Sequence, residues 1–377
     1  PSILLAVLST ITQPLETNNQ ALRLTPRPKP GKEPTSWQQP LSAVPLFGRF
    51  PKLKTLIGHN SFATLPTPLE SDQNLAKLLQ LETLLIKRDD LAGPLASGNK
   101  LRKLEFLLGD ATTKQANHIV TWSSQDSCHA ALTAICCNKI GMPCTCMYVA
   151  TKEPGIPAPQ PNIPKQYNAK ELTYRGNGQR ELALHVHNKE HIAQTGQPLY
   201  FIPEGASDVI GALGLASAVG ELVKQCKEQA VRLPEVIYIT SASAGSAAGL
   251  LAGLDLWGLD CTVIIVAQKA NKYPREHEDK IEKLYACIMQ YLSLLDGDIT
   301  PQQAPKNRVL YHHGFTTESN AHLLAAQTGA LNFFAQQRYT LEPSCAARLW
   351  TAFLCDALDG TVAKKRVMLW NTGSITH

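Results

Sequence analysis

The feature that most constrains this chain is a pair of strand–loop–helix–strand units lying far apart. The first runs from HIVTW (His118–Trp122) through the polar loop SSQDSCH and a helical run closed by Gly141 to CTCMYVA (Cys144–Ala150). The second runs from EVIYIT (Glu235–Thr240) through the small-residue loop SASAGS (Ser241–Ser246) and AAGLLAGLDLWG to CTVIIVA (Cys261–Ala267). Short apolar strands joined through a covering helix lie parallel. Two such units, with the proline-rich stretch Pro154 to Pro164 between them, predict an α/β chain of two lobes, each a mostly parallel sheet covered by helices. A length of 377 residues suits that reading, because it exceeds what one core usually supports.

Bulk properties exclude several classes. The chain is 44% hydrophobic and 18% charged, which is globular composition. A net charge of +5, with no basic stripe interleaved with aromatics, argues against a nucleic-acid partner. The apolar start PSILLAVLSTI is too short to span a bilayer and lacks the basic flank of a secretory signal. Arg23 to Pro40 is rich in proline and basic residues and reads as an extended tail. With no initiator methionine, a trimmed or incomplete amino end and organelle targeting both stay open. Of ten cysteines, Cys136, Cys137, Cys144 and Cys146 do not follow zinc spacings. They are expected as buried thiols in a reducing, cytoplasmic setting, with no metal bound.

In an open α/β sheet, ligands sit beyond the carboxyl ends of strands, against helix amino termini. Both polar loops fall there. Ala242, Ser243, Ala244, Gly245 and Ser246 offer small side chains, so backbone N–H groups can approach a phosphate; close helix–strand packing explains the same residues. The loop is not G-x-G-x-x-G, since Ala242 and Ala244 stand where glycines belong. In the other loop, Ser127 and His129 could bind a small acid or orient a cofactor ring; helix capping by Asp126 or Ser127 is the plainer alternative. Neither Ser127 nor Ser246 sits in a nucleophile elbow.

A strand, ETLLIKRDD (Glu82–Asp90), leads through a Gly/Pro loop to LASGNKLRKLEFLL (Leu95–Leu108). The helix expected from about Lys100 aligns Leu101, Leu104, Leu108 and Ala111 on one face. An arbitrary lysine at such a place is a solvated charge. YFIPEGASDVIGALG (Tyr200–Gly214) reads as strand, Gly-punctuated turn and helix, and RVMLWNTGS as a strand whose exit carries Asn371, Thr372 and Gly373.

Together these segments resemble the fold type II (tryptophan synthase β-like) pyridoxal-phosphate enzymes, on the branch of 1-aminocyclopropane-1-carboxylate deaminase and D-cysteine desulfhydrase. The resemblance runs from about Pro45 to the end. PTPLE at Pro66, IKRDDLAGPLASGNKLRKLEFLLGDA and IPEGASDVIGALG carry it most strongly. It implies a tail over 1–44, a large cofactor-binding domain of 45–102 plus 207–377, and a small α/β domain over 103–206. It further implies that pyridoxal 5′-phosphate forms an imine with Lys100, which must be neutral to attack and therefore needs a site that lowers its pKa. The phosphate would rest on Ala242 to Ser246, Thr372 would face the ring nitrogen, Cys128 would lie beside the ring, and Ser127 would face substrate. A homodimer acting on a small amino acid, away from membranes, is the corresponding expectation.

This chain departs from the family where substrate is met. The family's S-N-H or S-N-Q loop reads Ser127-Cys128-His129 here. A late tyrosine is replaced by Cys345, and a second, in a G-Y-G turn, by His313. The sequence therefore supports an enzyme that removes an α-proton and eliminates or deaminates, with Lys100 as catalytic base. The rival is a cofactor-binding regulator with slow turnover; a nucleotide-binding protein without pyridoxal phosphate is a third reading.

Overall fold

The computed structural model describes residues 44–94, 98–123, 128–150, 163–267, 274–312, 321–342, 345–373 and 375–376. Two separate parallel-rich sheets dominate it. The larger has the order β1 (Leu69–Ser71), β2 (Thr83–Arg88), β11 (Arg366–Asn371), β7 (Val236–Ser241), β8 (Thr262–Ala267), β9 (Arg308–His312). Only its edge strand β1 runs antiparallel to its neighbour. The smaller has the order β5 (Lys170–Tyr174), β4 (Cys144–Val149), β3 (Ile119–Ser123), β6 (Tyr200–Ile202), all parallel. A short antiparallel pair, β10 (Thr340–Leu341) and β12 (Ile375–Thr376), lies near the carboxyl end.

Both units read from the sequence are present: β3 pairs with β4 and β7 with β8. Several strong helices had no clear signature in that reading, among them Asn177–Thr195, Pro274–Leu295 and Cys345–Leu358. The helix Lys100–Thr113 buries Leu101, Leu104, Leu107, Leu108 and Ala111. Each fully buried leucine is worth about 2 kcal/mol of transfer free energy, which holds this helix down without help from its own propensity. It packs on the helix Val209–Glu228, which in turn packs on Gly245–Trp257. The Val209 helix is long and apolar enough to cross a membrane, but its face is the core of the large sheet's layer.

One result runs against the usual fate of charge. From sequence, IKRDD is the end of a β-rich run, closing in charges. Lys87, Arg88, Asp89 and Asp90 are instead all buried, as are Arg102 and Glu221.

Candidate active site

The carboxyl ends of β3, β7 and β11 converge on the first turn of the Lys100 helix. Gly98 has φ +53°, and a Cβ there would stand 2.2 Å from the Thr372 carbonyl oxygen. Only glycine lets this turn lie against the exit of β11. Asn99 donates from Nδ2 to Ser246 Oγ at 2.7 Å, joining the same turn to the Gly245 helix. Lys100 is thereby brought beside Thr372 and Ser246.

Lys100 is half-buried. Burial pulls its pKa down, but Cys128 and Cys345, with the Glu342 carboxylate, outweigh burial and the net direction is up. This corrects the expectation of a lowered value. That expectation came from the neutral amine that imine formation requires; the groups that oppose desolvation come from distant segments.

The expected phosphate loop leaves β7 at Ser241 and enters the Gly245 helix. Ala242 is exposed, Ser243 and Ser246 are half-buried, and Ala244 and Gly245 are buried. Ala244 takes φ +74°, ψ −36°, a conformation that strains any residue with a Cβ. The Gly245 N–H donates to Ser207 Oγ at 2.7 Å, and Ser207 Oγ donates to Ser243 Oγ at 3.0 Å. A Cβ on Gly245 would lie 2.2 Å from Ser207 Oγ, so the two loops close on each other through glycine and serine.

Lys103 completes this corner and was not singled out from sequence. It is buried and donates from Nζ to the Gly205 carbonyl at 3.0 Å. Burial, then repulsion from Lys100, brings its pKa down to about 7. Its position three residues after Lys100, on the same helix face, was the available signal. A helix amino terminus, three hydroxyls and an ammonium suit a phosphate dianion, so these residues fit the cofactor that the resemblance implied.

Thr372 is half-buried and its Oγ1 shares a hydrogen bond with Thr240 Oγ1 at 2.9 Å. Gly373 lies against Cys345 and Glu342. Glu342 Oε2 accepts the N–H groups of Cys345 at 2.9 Å and Ala346 at 3.3 Å, capping the helix that Cys345 begins. Cys128 caps the helix His129–Lys139, and both cysteines are half-buried. His129 differs from its expected place in the substrate shell. It is fully buried, shares a hydrogen bond with Thr121 Oγ1 at 3.0 Å, and burial lowers its pKa to about 3. One step along the helix from Cys128 turns the side chain inward, which the loop sequence could not show. Ser123, on the same face of β3 as Thr121, has a buried hydroxyl with no hydrogen-bond partner among the described residues. Ser127 and His313 lie outside the described residues.

Residues 61–373 match the family described as pyridoxal-phosphate dependent enzyme. The chain belongs to that family: it is an enzyme, and its cofactor is pyridoxal 5′-phosphate. It is 27% identical to a putative 1-aminocyclopropane-1-carboxylate deaminase of Pyrococcus furiosus, over 88% of this chain and 94% of that protein. It is 35% identical to D-cysteine desulfhydrase of Salmonella typhi, over 65% of this chain and 72% of that protein. Among solved structures, an ACC deaminase homologue superposes with a TM-score of 0.70 at 23% identity, covering 86% of this chain and 94% of the other. The fold is therefore type II.

Proposed function

We propose that this enzyme holds pyridoxal phosphate covalently through Lys100 and removes the α-proton of a small amino acid, with β-elimination or deamination following. The observation that carries the reading is the convergence of Lys100, Ser246, Thr372, Cys128 and Cys345 from five separate segments. The cofactor supplies an electron sink at the substrate's α-carbon. The chain supplies the rest. Lys103 and the loop Ala242 to Ser246 bind the phosphate. Thr372 would offer the ring nitrogen an uncharged hydroxyl rather than a carboxylate. Lys100 Nζ takes the α-proton, and the leaving group departs with its bonding electrons. Similarity to D-cysteine desulfhydrase and to the putative deaminase makes D-cysteine and the cyclopropane amino acid the first substrates to try.

A second reading has a specific observation behind it. Cys128 and Cys345 flank Lys100 where the resembled family carries asparagine and tyrosine. A general acid–base group contributes roughly 10²–10⁴-fold in rate, so a chain without that tyrosine binds cofactor and amino acid but releases ammonia or sulfide slowly. We read the protein as a homodimer in either case, which light scattering in solution checks.

The experiment is absorbance of purified protein before and after a panel of D- and L-amino acids, with borohydride reduction and peptide mapping. A yellow protein whose reduced cofactor maps to Lys100 supports the assignment, and adduct formation accelerates as pH rises, because the raised pKa keeps the amine charged. A reducible yellow adduct that survives in Lys100→Ala rules it out.

A further inference from the structure

We infer that Asp89 is a positioning residue for this site: it ties the helix bearing Lys100 to the strand bearing Thr372 and so fixes those two groups relative to each other. The inference rests on the function proposed above. Asp89 is fully buried at the end of β2. Its Oδ1 accepts Arg102 Nη2 at 2.8 Å and Thr67 Oγ1 at 2.9 Å. Its Oδ2 accepts Arg102 Nε at 3.1 Å and Trp370 Nε1 at 2.8 Å. Arg102 stands two residues after Lys100, and Trp370 two residues before Thr372. One carboxylate therefore bonds both chain segments that deliver the proposed anchor and the proposed ring partner. Its neighbour Asp90 holds the same strand exit from the β2 side only, taking Asn371 Nδ2 at 3.0 Å and Arg88 Nε at 3.0 Å.

Stability alone does not account for this choice. Arg102 also binds Glu221, which binds Lys87 at 2.5 Å. A buried cluster of two cations and two anions usually holds a fold no better than well-packed apolar residues of the same volume. It does differ in direction. Dispersion contacts tolerate sliding, whereas the forked guanidinium bonds hold one orientation. That matters here, because Gly98 and Thr372 approach as closely as backbone allows, and a shift of about 1 Å in a reacting group can cost ~10²-fold in rate.

The test uses the cofactor-loaded, full-length protein and three variants: Asp89→Asn, Trp370→Phe and, as a control, Tyr238→Phe. The control removes the buried hydrogen bond that Tyr238, on neighbouring β7, donates to Asp356 of the helix Cys345–Leu358, at 2.6 Å. Visible absorption and circular dichroism of the bound cofactor are followed against pH, with thermal unfolding measured separately. Asp89→Asn and Trp370→Phe are expected to move the pH midpoint of the visible band and to lower kcat by up to about a hundredfold with little change in KM. Tyr238→Phe is expected to lower the unfolding midpoint alone. If Asp89→Asn does not fold, Trp370→Phe decides, since it removes the indole N–H and leaves the bonds of Asp89 to Arg102 and Thr67 in place. A wild-type band that both variants reproduce in position, dichroism and pH midpoint overturns this inference alone. A wild-type protein with no band reducible at Lys100 overturns the proposed function and this inference together.

Discussion

The two sides of the Lys100 helix's first turn are built on opposite principles. Beneath it, Lys87, Asp89, Arg102 and Glu221 are sealed from water, and their charged groups are joined by short hydrogen bonds to one another, to Thr67 and to Gln225. Above it, Lys100, Cys128, Cys345 and Thr372 are half-buried, and Lys103 donates to the Gly205 backbone carbonyl. The floor spends its polar groups on itself. The mouth leaves donors and acceptors for a ligand. The difference teaches where change should be tolerated: a floor whose charged groups pair with one another should admit little, whereas the half-buried mouth should admit substitution at Cys128 and Cys345.

The comparison can be broken hardest at the floor. Glu221→Gln leaves Arg102 and Lys87 facing one another without their shared carboxylate, and breaking a buried pair typically costs about 3–5 kcal/mol. Calorimetry should show a large drop in unfolding temperature. Burial alone would raise the Glu221 pKa, but Arg102 and then Lys87 bring it down to about 2. Its contribution is therefore complete above the ordinary glutamate value and lost as pH falls toward about 2. A wild-type acid transition that Glu221→Gln leaves unmoved would put acid sensitivity elsewhere.

Substitution at the mouth should act on chemistry and spare stability. Cys128→Asn with Cys345→Tyr is expected to raise ammonia or sulfide release about tenfold or more, with an unfolding temperature near wild type. Rapid wild-type release, unimproved by the pair, would remove the idea of a redirected site. Smaller again is the loop strain. Ala244→Gly relieves φ +74° and should stabilise by about 1 kcal/mol, read from denaturant unfolding.

The smallest effect lies remote from both regions. His312 Nε2 meets Asp356 Oδ2 at 2.9 Å, and that hydrogen bond raises the histidine pKa against the effect of burial. The pair stabilises fully below the ordinary histidine value and fades as pH rises through the raised one. His312→Gln should flatten that part of the stability–pH curve; an unchanged slope would mean the pair contributes nothing measurable.

Much of the site was legible because its signals are local. Lys100 follows a glycine–asparagine turn and opens a helix of regular apolar period, and the loop at Ala242 to Ser246 joins a strand to a helix. Lys103 was legible in principle, three residues from Lys100, but nothing nearby in sequence said that it would be buried against Gly205. His129 was placed in the substrate shell because its loop was polar, and the structure turns it into the core against Thr121.

By itself the sequence determined the two parallel units, the lobed α/β class, the family block around Lys100 and the strand exits on which ligand groups sit. Those follow from side-chain period and backbone preference, which act over a few residues. Only the tertiary structure decided that the charges of IKRDD are buried, that groups from distant segments raise the Lys100 pKa against burial, and that Asp89 joins Arg102 to Trp370. Each depends on partners far along the chain: Lys87 on Glu221, 134 residues away, and Asp89 on Trp370, 281 residues away. A charge can leave water only where an opposite charge and directed hydrogen bonds meet it, and no local pattern records which distant residue will be there.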